Sequence, residues 1–183
     1  TYYCNPAVAS PSTINSAVWS TTLGGPYTAT VPASPAGGAI LVFQGGSITG
    51  ATHANITEMR FDAATTWTDG GTITNSAGTP NINLNVPTGI TQTFPQTFTS
   101  SQAITKIGGG IIVMNTNSQT YTGGTTIKAG TISISQNNGV AGTVTLDGGT
   151  LQITVAISLT RPINTTATGG YVEVTGAINV SAN

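Results

Sequence analysis

The stretch Ile104–Ser135, ITKIGGGIIVMNTNSQTYTGGTTIKAGTISIS, decides the fold. It reads as short strands punctuated by glycine. Ile104-Thr105-Lys106-Ile107 leads into Gly108-Gly109-Gly110, then the apolar run Ile111–Met114, an Asn/Thr/Ser turn, Tyr121, the pair Gly123-Gly124 and a strand Thr125–Lys128. After Gly130, strict alternation in Thr131-Ile132-Ser133-Ile134-Ser135 puts both isoleucines on one face and the hydroxyl side chains on the other, the pattern of a half-buried strand. No helical period runs through the stretch, and turn residues recur at short intervals. Together these features predict all-β structure made of many small, regularly bent segments.

The same punctuation recurs along the chain. Gly-Gly pairs begin at 24, 45, 70, 123, 148 and 169, at intervals of 21, 25, 53, 25 and 21, the longest being about two periods. Thr-x-Thr triplets begin at 97, 120, 143 and 166, four times at a spacing of 23. An internal repeat in this size range signals a solenoid, and rungs of about 23 residues stacked about 4.8 Å apart make about eight rungs. Alternation and the repeat predict a core of Ile111, Val113, Ile127, Ile132, Ile134, Val144, Leu146, Leu151, Ile153, Val172 and Val174. If the four Thr-x-Thr triplets lined one flat face, they would form an outward array of hydroxyls and methyls of the kind that binds ice.

Tyr121-Thr122-Gly123-Gly124-Thr125-Thr126-Ile127 and Ala129-Gly130-Thr131-Ile132, preceded by Lys106, Gly108, Gly110 and an apolar strand, resemble the passenger-associated transport repeat, also called the autotransporter-associated β-strand repeat. The resemblance extends over most of residues 19–178. It implies rungs of a right-handed parallel β-helix in a secreted, surface-displayed bacterial protein, in a family with many adhesins. Its repeat motif falls here on Tyr121, Thr122, Gly123, Gly124, Thr125, Thr126 and Gly130. The sequence departs from the family pattern in having Gly109-Gly110-Ile111-Ile112 where a Gly-Thr-Leu step is usual, and no translocator barrel follows.

At 183 residues the chain is long enough for a sizeable core, and no composition shift divides it. Residues 1–38 hold most of the nine prolines and three of the five tyrosines. Proline removes ladder donors, so this segment is expected to be an N-terminal cap or arm on a β-solenoid spanning 39–183, burying Trp19 and Tyr27. Only 5% of residues are charged, with a net charge of −1, and the surface must be made polar by hydroxyls and amides, including 36 threonines. Four Lys and Arg in total leave no footprint for nucleic acid. No apolar run approaches the ~20 residues of a membrane-spanning helix, so membrane insertion is not expected. The single Cys4 is left either as a lone thiol or as a partner for another chain.

Chemistry-bearing residues are scarce. Glu58, Arg60 and Asp62 are spaced by two, which puts all three on one side of a strand as an ion-pair ladder facing solvent. Paired carboxylates across a cleft, as glycoside hydrolysis requires, would have to come from these and from Asp69, Asp147 and Glu173. One histidine, His53, excludes a multi-histidine metal site and a Ser-His-Asp triad that would use any other base. Asp69-Gly70 and Asp147-Gly148 lack the nonapeptide repeat of calcium-binding turns. Lys106 and Lys128 are expected to face solvent, and Arg161 to bond backbone carbonyls at a corner.

The expected function is therefore non-enzymatic, without cofactor or metal. It is that of an extracellular or bacterial cell-surface β-solenoid subunit stacking end to end with identical copies into a fibre. Tyr2, Tyr3 and Trp19 at one end, and Tyr171, Val172, Val174, Ile178 and Val180 at the other, would form the assembly interface, because an uncapped solenoid end exposes an unpaired strand edge. Two alternatives remain open: a passenger fragment of an autotransporter-like adhesin, with a surface ligand or glycan as partner, and a polysaccharide-active β-helix enzyme.

Overall fold

The computed structural model describes residues 1–4, 12–13, 19–23, 38–49, 55–67, 71–73, 81–99, 101–116 and 118–176. Among them there is no helix, only short strands. In chain order these begin with β1 (Tyr2–Cys4), β2 (Ser12–Thr13), β3 (Trp19–Ser20), β4 (Ala39–Gln44), β5 (Ser47–Thr49), β6 (Ile56–Ala63) and β7 (Thr66–Trp67). Next come β8 (Thr72–Ile73), β9 (Ile82–Asn85), β10 (Thr91–Phe94), β11 (Thr97–Phe98), β12 (Ile104–Ile107) and β13 (Ile111–Met114). The last six are β14 (Thr125–Ile127), β15 (Thr131–Ile134), β16 (Val144–Leu146), β17 (Thr150–Ile153), β18 (Ile163–Thr165) and β19 (Tyr171–Val174).

They stack as a parallel β-helix. One long sheet runs β18-β16-β14-β12-β9-β6-β4-β1-β3, and a second runs β10-β13-β15-β17-β19; β2-β5-β7 and β8-β11 form smaller sheets. The pairings are parallel except that β3 returns antiparallel to β1, so the long sheet ends in a reversed strand. Following one column of the long sheet, Leu41, Met59, Leu84, Lys106, Ile127, Leu146 and Thr165 lie side by side, at steps of 18, 25, 22, 21, 19 and 19 residues. The solenoid thus makes about six turns rather than eight: residues 1–38 supply no regular rung.

The uneven rung length also dissolves the threonine array. Thr97 stands in β11, Thr120 in the turn after β13, Thr143 just before β16 and Thr166 just after β18. A spacing of 23 drifts against rungs of 18 to 25 residues, so the triplets occupy different sides of the rod.

The core confirms the alternation where alternation exists. Ile127, Ile132, Ile134, Val144, Leu146, Leu151 and Ile153 are buried. In β13 the phase is opposite to expectation: Ile112 and Met114 point inward, while Ile111 and Val113 sit half-buried on the outer face. Four consecutive apolar residues carry no period, and the register against β15 decides, since Ile112 lies beside Ile132 and Met114 beside Ile134. Val172 is in the inward column beside Leu151, yet it is exposed because no described rung covers it. Val174 packs only partly against the core.

Aromatic rings fill the N-terminal half of the core. Trp19 meets Phe43 edge-on at 5.5 Å, Phe43 stacks on Phe61 at 4.9 Å, Phe94 stacks on Phe98 at 5.2 Å, and Tyr121 closes the series at 6.2 Å from Phe98. Beyond Tyr121 the described core is aliphatic. The change accompanies the shortening of the rungs to 19 residues, which leaves a narrower interior.

Candidate functional site

The YTGGTT motif is a corner built from the inside. Tyr121 is buried, and its hydroxyl meets Thr125 Oγ1. Thr125 Oγ1 donates its one hydrogen to the Ala141 carbonyl at 3.1 Å, so Tyr121 is the donor to Thr125. The chain of two hydrogen bonds ties one turn of the solenoid to the next. Gly123 admits no side chain because a Cβ there would collide with the Gln102–Ala103 backbone of the rung below. Gly130 has φ +63° and its Cα faces the Gly108 and Gly110 carbonyls, so it needs glycine both for conformation and for space. Burial raises the Tyr121 pKa. These motif residues hold rungs together and present no reactive group outward.

Lys106 overturns its expected place. It lies in the inward column between Leu84 and Ile127 and is fully buried. Its ammonium turns to the corner and donates to the carbonyls of Ile107 at 2.9 Å, Gly108 at 2.6 Å and Ala129 at 3.2 Å. Three acceptors satisfy its three N–H groups. Desolvation lowers its pKa to about 8.

Buried glutamines play a related part. Gln119 Oε1 accepts from the Phe98 N–H at 2.8 Å and its Nε2 donates to the Gln96 carbonyl at 2.8 Å, so a side-chain amide spans two rungs where strand pairing lapses. Arg161 bonds a side chain rather than the carbonyls expected: Nη2 donates to Asn138 Oδ1 at 2.6 Å.

The acidic residues are dispersed. Arg60 and Asp62 form a bidentate pair at 2.7 and 2.8 Å on the outer face of β6, while Glu58 accepts from Asn85 Nδ2 at 2.9 Å instead. Asp147 accepts from Thr166, and hydrogen bonds from Thr166 and Thr168 lower its pKa. Glu173 accepts from Gln152 at 3.1 Å. His53 and Asp69 lie outside the described residues. Among the described residues no three His, Cys, Asp or Glu side chains gather as a metal site, and no helix is long and apolar enough to cross a membrane.

Cys4 is buried in β1, and desolvation raises its thiol pKa to about 12, which disfavours the interchain pairing considered from its position near the terminus. Trp19, expected at an assembly surface, is fully buried against Phe43. Tyr2 and Tyr3 are half-buried between β3 and β4. Ile178, Val180 and Tyr27 lie outside the described residues.

The exposed apolar side chains are distributed unevenly. Among the described residues the large ones are Leu23 (68% exposed), Val155, Ile163, Tyr171 (73%) and Val172 (45%). Leu23 follows β3 at one end of the long sheet; the other four belong to the last two rungs at the opposite end. Leu23, Val155 and Ile163 were not legible as surface residues, since each sits in a segment without clear alternation. The chain matches no protein-family model, no curated protein and no solved structure.

Proposed function

We propose that this chain is a non-enzymatic structural protein of the extracellular space or bacterial cell surface, a β-solenoid subunit that docks end to end with identical copies into a fibre. The observation that carries this reading is the placement of the large exposed apolar side chains at the two ends of the rod. At the β19 end, Val172 occupies the column that Leu151 fills in full burial one rung earlier, so a further strand laid on β19 would bury it as the solenoid already buries its neighbours. Strand edges pair with whatever strand is offered, and a net charge of −1 gives subunits little mutual repulsion. Tyr171, Val172 and Val174 form one face of the joint; Tyr2, Tyr3 and Leu23 belong to the other.

The dispersal of the described acids, each in a pair or hydrogen bond of its own, supports a non-catalytic role. Surface display draws on the resemblance of the YTGGTT stretch to autotransporter-associated repeats. That resemblance also favours a second reading, a module within a longer surface adhesin, where further rungs would cover the same apolar end.

Sedimentation velocity and electron microscopy of the purified chain separate the two. Filaments are expected, together with their loss in the Tyr171→Lys/Val172→Lys variant, whose substitutions are exposed in the single subunit and leave its core intact. A wild-type chain that stays monomeric at high concentration removes the fibre reading and leaves the adhesin module.

A further inference from the structure

Along the flank of the rod runs a groove of about 430 Å³, lined among the described residues by Thr66, Trp67, Thr91, Thr93, Pro95 and Asn115, with Thr65 at its floor. It marks a seam in the solenoid. β7 is the last strand of the three-stranded sheet and β10 the first of the five-stranded one, and the two come close without pairing. The buried Gln92 side chain bridges them from inside: Oε1 accepts from the Thr65 N–H at 2.8 Å and Nε2 donates to the Thr65 carbonyl at 2.9 Å. The outer part of the seam stays open.

We propose that this groove binds a neutral glycan. The Trp67 ring is held against Phe43 at 5.5 Å and Phe94 at 5.4 Å, so its orientation is set before any ligand arrives. A fixed indole beside Pro95 offers the flat apolar surface on which the C–H face of a pyranose stacks. Around it, Thr66, Thr91, Thr93 and Asn115 are exposed and supply hydroxyl and amide groups to the sugar hydroxyls. No charged side chain lines the groove, which favours an uncharged ligand over an acidic sugar, a phosphate or a charged peptide. Its volume lies in the lower part of the roughly 300–1,000 Å³ of small-ligand sites, and suits a short run of sugar units. An extended peptide is the poorer occupant because Gln92 already takes the Thr65 backbone groups that strand addition on the β7 side would use. The site is on the flank, so it is independent of whether the ends polymerise.

Isothermal titration with cellohexaose, xylohexaose, mannohexaose and chitohexaose, and with hexagalacturonate as the acidic comparison, tests the proposal. At least one neutral hexasaccharide is expected to bind with Kd on the order of 0.1–1 mM, with hexagalacturonate weaker. Thr93→Arg is exposed and fills the groove without touching the core; it is expected to weaken binding about tenfold or more at unchanged melting temperature. Trp67→Phe keeps an aromatic ring on Phe43 and Phe94 and is expected to weaken binding a few fold. Absence of heat from all four neutral sugars at about 10 mM overturns the proposal. So does binding that Thr93→Arg leaves unchanged, or tighter binding of a neutral Thr/Val hexapeptide than of any sugar.

Discussion

Lys106 shows how a single side chain can be misplaced by its charge and placed by its neighbours. Its position two residues after Ile104 is inward by alternation, and three successive glycines follow it, whose bare corner leaves carbonyls in need of donors. Removing the donor in Lys106→Met leaves carbonyls of Gly108 and Ala129 buried with a partner lost, and a destabilisation of about 1–3 kcal/mol is expected in urea melts at pH 7. The pH dependence has a definite sign. The folded pKa of about 8 lies below the ordinary 10.5, so between these values the unfolded chain holds a proton that the folded chain has released. Stability from this group therefore rises with pH across that window and is at its minimum below about pH 8. Cys4 and Tyr121 act the other way, since burial raises both, so the wild type must be read against the variant. The gap between wild type and Lys106→Met is expected to widen from pH 8 to 10; a constant or shrinking gap would falsify the assignment of a buried, desolvated ammonium.

At the scale of the strand and corner, legibility followed periodicity. In β15, β16 and β17 apolar and polar residues alternate, and the inward faces were readable directly. In β13 the run Ile111–Met114 is apolar throughout, so only the neighbouring strands, brought alongside by the coil, choose Ile112 and Met114. The motif glycines were legible as turn signals, but what makes them necessary is a rung one turn away. Gly130→Ala tests this: both its φ of +63° and the Gly108 and Gly110 carbonyls oppose a Cβ. A loss of about 2 kcal/mol or more is expected in thermal or urea unfolding, above the ~1 kcal/mol that backbone conformation alone accounts for. Gly89→Ala serves as the comparison, with φ +86° but open space around it, and should cost no more than the conformational part. Equal losses at the two positions would show that rung contact contributes nothing. Of the candidate assembly residues, Tyr171 and Val172 were legible because β19 alternates, whereas Trp19 looked like an interface only because its aromatic partners, Phe43 foremost, lie far away in sequence.

At the scale of the whole rod, stability is not uniform, because each rung gains from the two beside it and the last described rung has one neighbour. The middle of the stack has every advantage: β12, β14 and β16 pair on both sides, Lys106 and Tyr121 tie corners across turns, and the core from Ile104 to Ile134 is dry. At the β19 end, Ile163, Tyr171 and Val172 are exposed and β18 and β19 each pair on one side only. Amide hydrogen exchange on the single subunit should therefore grade along the axis, with amides of β12–β15 exchanging only on global unfolding and those of β18 and β19 exchanging orders of magnitude faster through local fraying. The gradient also discriminates between the functional readings. If subunits join end to end, the incoming strand gives β19 its missing neighbour, and protection of Tyr171–Val174 should rise with protein concentration in the wild type while staying flat in Tyr171→Lys/Val172→Lys. Protection at β12–β15 should not change in either, since those amides already open only with the whole fold. A concentration-independent β19 in a sample that electron microscopy shows to be filamentous would mean that the fibre joint lies elsewhere, and the flank of the rod would then have to supply it.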